Sequence, residues 1–164
     1  MATNEFIDKC ENSGKFNKSQ IYQIRQGFKD GLTLEQIKIY AKSEIQHDQM
    51  EQIRWGFKDG LTMKQVKFYV KPEFECGQMF EIRLGLEQDL SIEQIKLYAD
   101  SKFDFEQMWE IRLGFECGLT IEQIKLYAKP KFPTYKMSQI RNFIKENNDI
   151  PINTIKFLLG LNYI

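Results

Sequence analysis

A nucleophile needs a base beside it and a third group to orient that base, and few residues of this chain could meet the requirement. His47 is the single histidine of the 164 residues. It stands where other stretches of the chain carry Lys18, Cys76, Phe105 and Thr134, so a surface position is expected for it. Cys10, Cys76 and Cys117 are odd in number, form no C-x-x-C and cannot complete a Cys/His zinc site with one histidine. Reduced thiols of a cytoplasmic protein are the expectation. The glycines recur singly within or after helical patterns, so no phosphate-cradling loop is expected. No convergent acid, base or nucleophile is visible. The sequence points to a non-enzymatic protein without metal or cofactor.

The one group placed with regularity is arginine. Arg25, Arg54, Arg83, Arg112 and Arg141 follow one another at 29-residue intervals. Such a ladder could line an anion-binding groove, because a guanidinium matches phosphate geometry, and Lys38, Lys67, Lys96 and Lys125 recur at the same interval. The competing reading is structural: an identical residue in every copy serves what every copy must do, which is stack on its neighbour.

The interval belongs to the whole chain. QIYQIR, QMEQIR, QMFEIR, QMWEIR and KMSQIR end at the five arginines, and the first four are followed by LTLEQIKIYA, LTMKQVKFYV, LSIEQIKLYA and LTIEQIKLYA. A period of this length is the signature of a repeat array. Met50, Ile53, Phe57 and Leu61 form a helical stripe, and Gly60 sits where a left-handed C-cap residue belongs. Thr62…Gln65 is a capping box, repeated as Thr33…Gln36, Ser91…Gln94 and Thr120…Gln123. Asn17…Gln20 and Asp104…Gln107 open the first helices in the same way. The second helix is expected to run eight or nine residues, with Val66, Tyr69 and Val70 inward. Equivalent residues Ile39, Phe68, Leu97 and Leu126 suggest an inner helix covered on two sides. Gly27, Gly56, Gly85 and Gly114 interrupt the first helix, where each costs about 1 kcal/mol against alanine. A close helix crossing would account for them. Tyr40, Tyr69, Tyr98 and Tyr127 are expected in the core with bonded hydroxyls.

The expected fold is all-α: a right- or left-handed α-solenoid of about five two-helix repeats with terminal caps. The cap covers 1–15, the repeats 16–44, 45–73, 74–102 and 103–131, and a degenerate fifth repeat with its C-terminal cap 132–164. In the fifth, Phe143 replaces the glycine, the connection is longer, and the apolar tail FLLGLNYI either seals the last copy or meets another chain. Asp89 replaces glycine in the third copy, which suggests a differently capped helix end. Lysine plus arginine and aspartate plus glutamate each number 23, so there is no basic arm for non-specific duplex binding. No apolar run is long enough for a membrane span, and no secretory signal is visible.

Positions that differ between copies are better candidates for function. Tyr22, Glu51, Phe80, Trp109 and Ser138 share one position; Gln26, Trp55, Leu84, Leu113 and Asn142 share another, four residues on. Phe80/Leu84 and Trp109/Leu113 adjoin at i, i+4 spacing. Stacking would set the two pairs side by side, with Tyr22, Trp55 and Phe105 extending an apolar strip suited to a protein partner or to self-association. Nucleic acid or a nucleotide on the arginine ladder is the alternative.

QMFEIRLGLEQDLSIEQIKLYADSKF (78–103) and QMWEIRLGFECGLTIEQIKLYAKPKF (107–132) resemble helical repeats of poorly characterised phage and mobile-element proteins of Gram-positive bacteria. The resemblance spans about residues 16–132. It supplies no activity; it implies an accessory binding role in phage–host conflict, such as an anti-CRISPR inhibitor of a host defence enzyme.

The capping pattern makes a first prediction. Far-UV circular dichroism should be dominated by helix with negligible strand, and a substantial β signal would exclude the reading.

Overall fold

The computed structural model describes residues 2–161, with side chains from Asn4 onward. Every regular element among the described residues is a helix; there is no strand. The chain forms two compact units, one ending at Glu87 and the other beginning at Gln88.

The first unit contains α1 (Ala2–Asn12), α2 (Lys18–Lys29), α3 (Leu34–Tyr40), α4 (His47–Lys58), α5 (Met63–Tyr69) and α6 (Cys76–Glu87). The long helices pack in chain order, α1 on α2, α2 on α4 and α4 on α6, and each short helix packs against the long helices before and after it. Met50, Ile53, Phe57 and Leu61 are all buried, as the stripe predicts. In the N-terminal cap, α1 buries Ile7 and Cys10, and Phe6 meets Phe28 edge to face with ring centroids 6.3 Å apart. The second unit contains α7 (Ile92–Ile95), α8 (Phe105–Glu116), α9 (Ile121–Ile124), α10 (Thr134–Glu146) and α11 (Ile152–Leu158), with α10 and α9 both packed on α8.

Capping fixes the boundaries. The side chains of Thr33, Thr62, Ser91 and Thr120 each accept from the backbone N–H three residues on, and the glutamine there accepts in return from the cap N–H. The first helices α2, α4 and α8 end in a Schellman turn. In α4 the Gly60 N–H donates to the Phe57 carbonyl at 3.2 Å and the Leu61 N–H to that of Gly56 at 2.9 Å. Gly31, Gly60 and Gly118 take φ of 82°, 95° and 80°, and Asp89 takes 60°. Asp89 therefore holds the same left-handed backbone conformation as the glycines. It does so at the cost an L side chain bears in that region.

Two expectations need correction. The second helices are shorter than eight or nine residues: α3 and α5 have seven, while α7 and α9 have four. After Ile95 and Ile124 the chain tightens to i→i−3 bonds, Leu97 to Gln94 and Leu126 to Gln123 at 3.1 Å each, a common form of helix end. Nor is the second helix covered on both sides. Ile39, Phe68, Leu97 and Val70 are half-buried, and only Leu126 is buried.

The mid-helix glycines are explained by the tyrosines. A Cβ built on Gly27, Gly56 or Gly114 would lie 1.9, 2.2 or 1.9 Å from the hydroxyl of Tyr40, Tyr69 or Tyr127. Each hydroxyl donates to a carbonyl four residues before its glycine: Tyr40 to Gln23 at 3.4 Å, Tyr69 to Gln52 at 3.3 Å and Tyr127 to Glu110 at 3.4 Å. The phenol brings its hydroxyl end against the bare helix backbone, and a Cβ there would displace it.

Gly56→Ala should lower stability by about 1–3 kcal/mol, the usual cost of overpacking. Combined with Tyr69→Phe, which removes the clashing oxygen, most of that loss should disappear. Urea denaturation of the two single variants and the double variant measures the coupling; strict additivity would show that the contact does not set the crossing.

Candidate interaction surface

Three of the first helices, α2, α4 and α8, open on a glutamine that does two things. The Gln20 Oε1 accepts from the Asn17 N–H at 2.9 Å, while its Nε2 donates to the Ile45 carbonyl at 2.7 Å and that of Ser43 at 3.1 Å. Gln107 caps Asp104 and holds the carbonyls of Pro130 and Phe132 at 3.0 and 2.7 Å. Gln49 does the same with Gln46, Pro72 and Phe74. One buried amide thus starts the helix and clamps the loop that leaves the second helix. That loop turns tightly, with the Lys71 N–H donating to the Tyr69 carbonyl at 2.8 Å. It buries Ile45, Phe74, Phe103 or Phe132 directly before the next N-cap, the hydrophobic-staple position.

The arginines reach backward by constant offsets. Arg54 donates from Nε to Gln23 Oε1 at 3.1 Å, 31 residues earlier, and pairs with Asp30, 24 residues earlier. Arg83 repeats both contacts on Gln52 and Asp59 at 3.2 Å each, and adds Glu87 at 2.6 Å. Arg112 donates to Gln88 at 3.2 Å and pairs with Glu116; Arg141 donates to Glu110 at 2.8 Å. Arg54, Arg83, Arg112 and Arg141 are buried, and their guanidinium groups are engaged within the protein. Only Arg25 is exposed, paired with Glu11 of α1 at 2.7 Å. An anion groove lined by all five arginines does not fit this arrangement, because four of them already hold the carboxylates and amides of the preceding copy.

Tyr40, Tyr69, Tyr98 and Tyr127 are fully buried. Desolvation pushes Tyr40, Tyr69 and Tyr127 well above the ordinary phenol range, so they remain neutral donors. Burial also raises the Cys10 and Cys76 thiols, which disfavours the reactive thiolate. His47 is exposed at the first turn of α4. Among the described residues no group of three or more histidine, cysteine or acidic side chains could hold a metal, and no helix is long and apolar enough to cross a membrane.

The variable positions face outward. Tyr22, Phe80, Phe105 and Trp109 are exposed; Trp55, Leu84 and Leu113 are half-buried. In the first unit they sit on the packed helices α2, α4 and α6. Trp55 carries the Lys58 ammonium 4.4 Å above its ring, and Arg83 lies 5.3 Å from the ring of Phe80. In the second unit Phe105, Trp109 and Leu113 form an i, i+4, i+8 stripe along α8, while α10 offers Ser138 and Asn142 at the equivalent positions. Tyr135, Phe157 and Leu158 are also exposed. Tyr135 carried no signal, because its position is polar or glycine in the other copies. The tail residues beyond Leu161 lie outside the described residues. Comparison with protein-family models, curated protein sequences and solved structures finds no match.

The burial of the arginine pairs sets their cost. Arg141→Ala strands Glu110, whose side chain is 4% exposed, and should destabilise by about 3 kcal/mol or more, as breaking a buried pair does. Arg25→Ala removes a pair exposed at 47% and 40% and should cost less than about 1 kcal/mol. Denaturation midpoints of the two variants would reveal the difference; equal, small effects would mean that the ladder does not hold the copies together.

Proposed function

We propose that this chain is a non-enzymatic α-solenoid of about five two-helix repeats that binds another protein, or a second copy of itself, through the variable outer face of its first helices. One observation carries the reading. The glutamine, glycine and tyrosine positions repeated from copy to copy are buried in contacts that build and stack the copies, whereas positions that change from copy to copy stand on the surface and hold large apolar side chains. Variation from Glu51 to Trp109 at one position is what a partner's shape would select and what stacking would not. Tyrosine and tryptophan are the residues that dominate binding energy when a partner excludes water from them. The narrower role, a mobile-element inhibitor of a host defence enzyme, rests on the wording of the repeats alone.

Trp109→Ala combined with Phe80→Ala should leave the helical spectrum and the denaturation midpoint unchanged, because both side chains are exposed. Partner binding, or self-association followed by light scattering, should weaken at least tenfold, about 1.4 kcal/mol. Unfolding of the double variant would place these residues in the core, and unaltered binding would move the function to another surface.

A further inference from the structure

Lysine recurs at one position of the second helices, as Lys38, Lys67, Lys96, Lys125 and, after the longer last connection, Lys156. Unlike the other residues that recur in this way, it does nothing for stacking. The first four are exposed. Among the described residues Lys38 and Lys67 form no ion pair, and Lys125 pairs only with Glu122 of its own helix at 2.8 Å. A cation in the last turn gains a little from the helix dipole. Lys42, however, lies beyond the end of α3 and faces the same space.

That space is a groove. In the first unit α3 and α5 leave an open channel of about 560 Å3 whose floor is Ile39, Met63 and Val70 and whose walls carry Lys38, Lys42 and Lys67. The half-burial of Ile39 and Val70 is the other side of the same fact, since no neighbouring helix covers them. In the second unit α9 and α11 leave a channel of about 560 Å3 at the equivalent place, with Lys125, Lys129 and Lys156 around Leu126 and Leu161. Each groove also holds one carboxylate at the same repeat position, Glu35 or Glu122. The two grooves share five repeat positions, those of the carboxylate, the three lysines and Ile39 or Leu126.

We infer that these grooves bind an acidic segment of a partner protein, an extended stretch in which apolar side chains alternate with carboxylates. The apolar side chains lie on the aliphatic floor, and the carboxylates reach the lysines along the walls. Charge complementarity favours this occupant: three ammonium groups face one carboxylate in each groove. A nucleic-acid strand fits less well. It needs aromatic faces for its bases, and neither groove is lined by one; Glu35 and Glu122 would also repel its phosphates. The site is separate from the aromatic face of the first helices and does not depend on that reading.

The test uses the whole chain and a labelled peptide of about a dozen residues alternating glutamate and leucine, followed by fluorescence anisotropy. Two further probes are the same peptide with lysine for glutamate and a labelled thymidine oligonucleotide. The acidic peptide should bind saturably and lose affinity as salt rises. K38E and K67E in the first groove, combined with K125E and K156E in the second, should weaken it at least tenfold, with the four corresponding glutamine substitutions in between and the helical spectrum unchanged. If the glutamate variant does not fold, the glutamine variant decides, and a loss of about threefold or more is expected. Trp109→Ala with Phe80→Ala should leave peptide binding intact. The proposal fails if the acidic peptide does not bind, if the basic peptide binds equally well, or if the lysine variants change nothing. It also fails if the oligonucleotide, and not the peptide, is what the variants release.

Discussion

The spacing between the two helices of a copy is set by a phenol lying on a glycine. Tyr40, Tyr69 and Tyr127 put their hydroxyls where a Cβ would be, and each donates to a helix carbonyl four residues upstream. The residue that owns this carbonyl, Gln23, Gln52 or Glu110, offers its side-chain oxygen to an arginine 31 residues later. One residue thus joins the hinge inside a copy to the contact with the next. The final copy supports the pairing from the opposite direction. Phe143 occupies the glycine position, and Leu158, where the tyrosine would fall after the longer connection, is exposed. When one member of the pair is lost, so is the other.

The repeated hexapeptide is legible in these terms. Its glutamine caps a helix and clamps a loop, its second polar residue receives both a phenol and a guanidinium, and its arginine ties the copy to the one before. Outward-facing residues between them are free to differ. Lysine on the second helices is the exception, repeated and yet exposed, and for that reason it reads as recognition and not as architecture.

Much of the local structure was visible in the sequence because it is governed by short-range chemistry. Capping boxes need only a hydroxyl or carboxylate and a glutamine three residues apart, and all those expected at Thr33, Thr62, Ser91, Thr120, Asn17 and Asp104 are formed. The glycine interruptions announced a close approach, although the tyrosine that makes it lies 13 residues further on. Other features depend on geometry that spacing alone does not carry. The arginine acceptors lie 24 and 31 residues away, so the sequence left two roles open for the ladder. The backbone of Asp89 adopts a conformation its side chain disfavours, because the turn requires it. The second helices looked amphipathic on two sides, yet no neighbour covers Ile39 and Val70, and the unfilled side is a groove. On the outer face, side-chain variation marked exposure, but which of those residues meets a partner is a property of the partner.

The backward reach of the arginines gives the array a polarity with a genetic corollary. Arg54 and Arg83 each donate to acceptors both 24 and 31 residues back, Arg112 to one 24 back and Arg141 to one 31 back. A whole period removed or duplicated by recombination between near-identical stretches would keep each arginine at the distance of its acceptor positions, whereas a deletion of any other length would shift it off them. The ends are not interchangeable in this way, since Arg25 is met by Glu11 of α1 rather than by a copy. A gene built on this plan can change the length of its product and the side chains it displays as separate variables, by copy number in one case and by point substitution in the other.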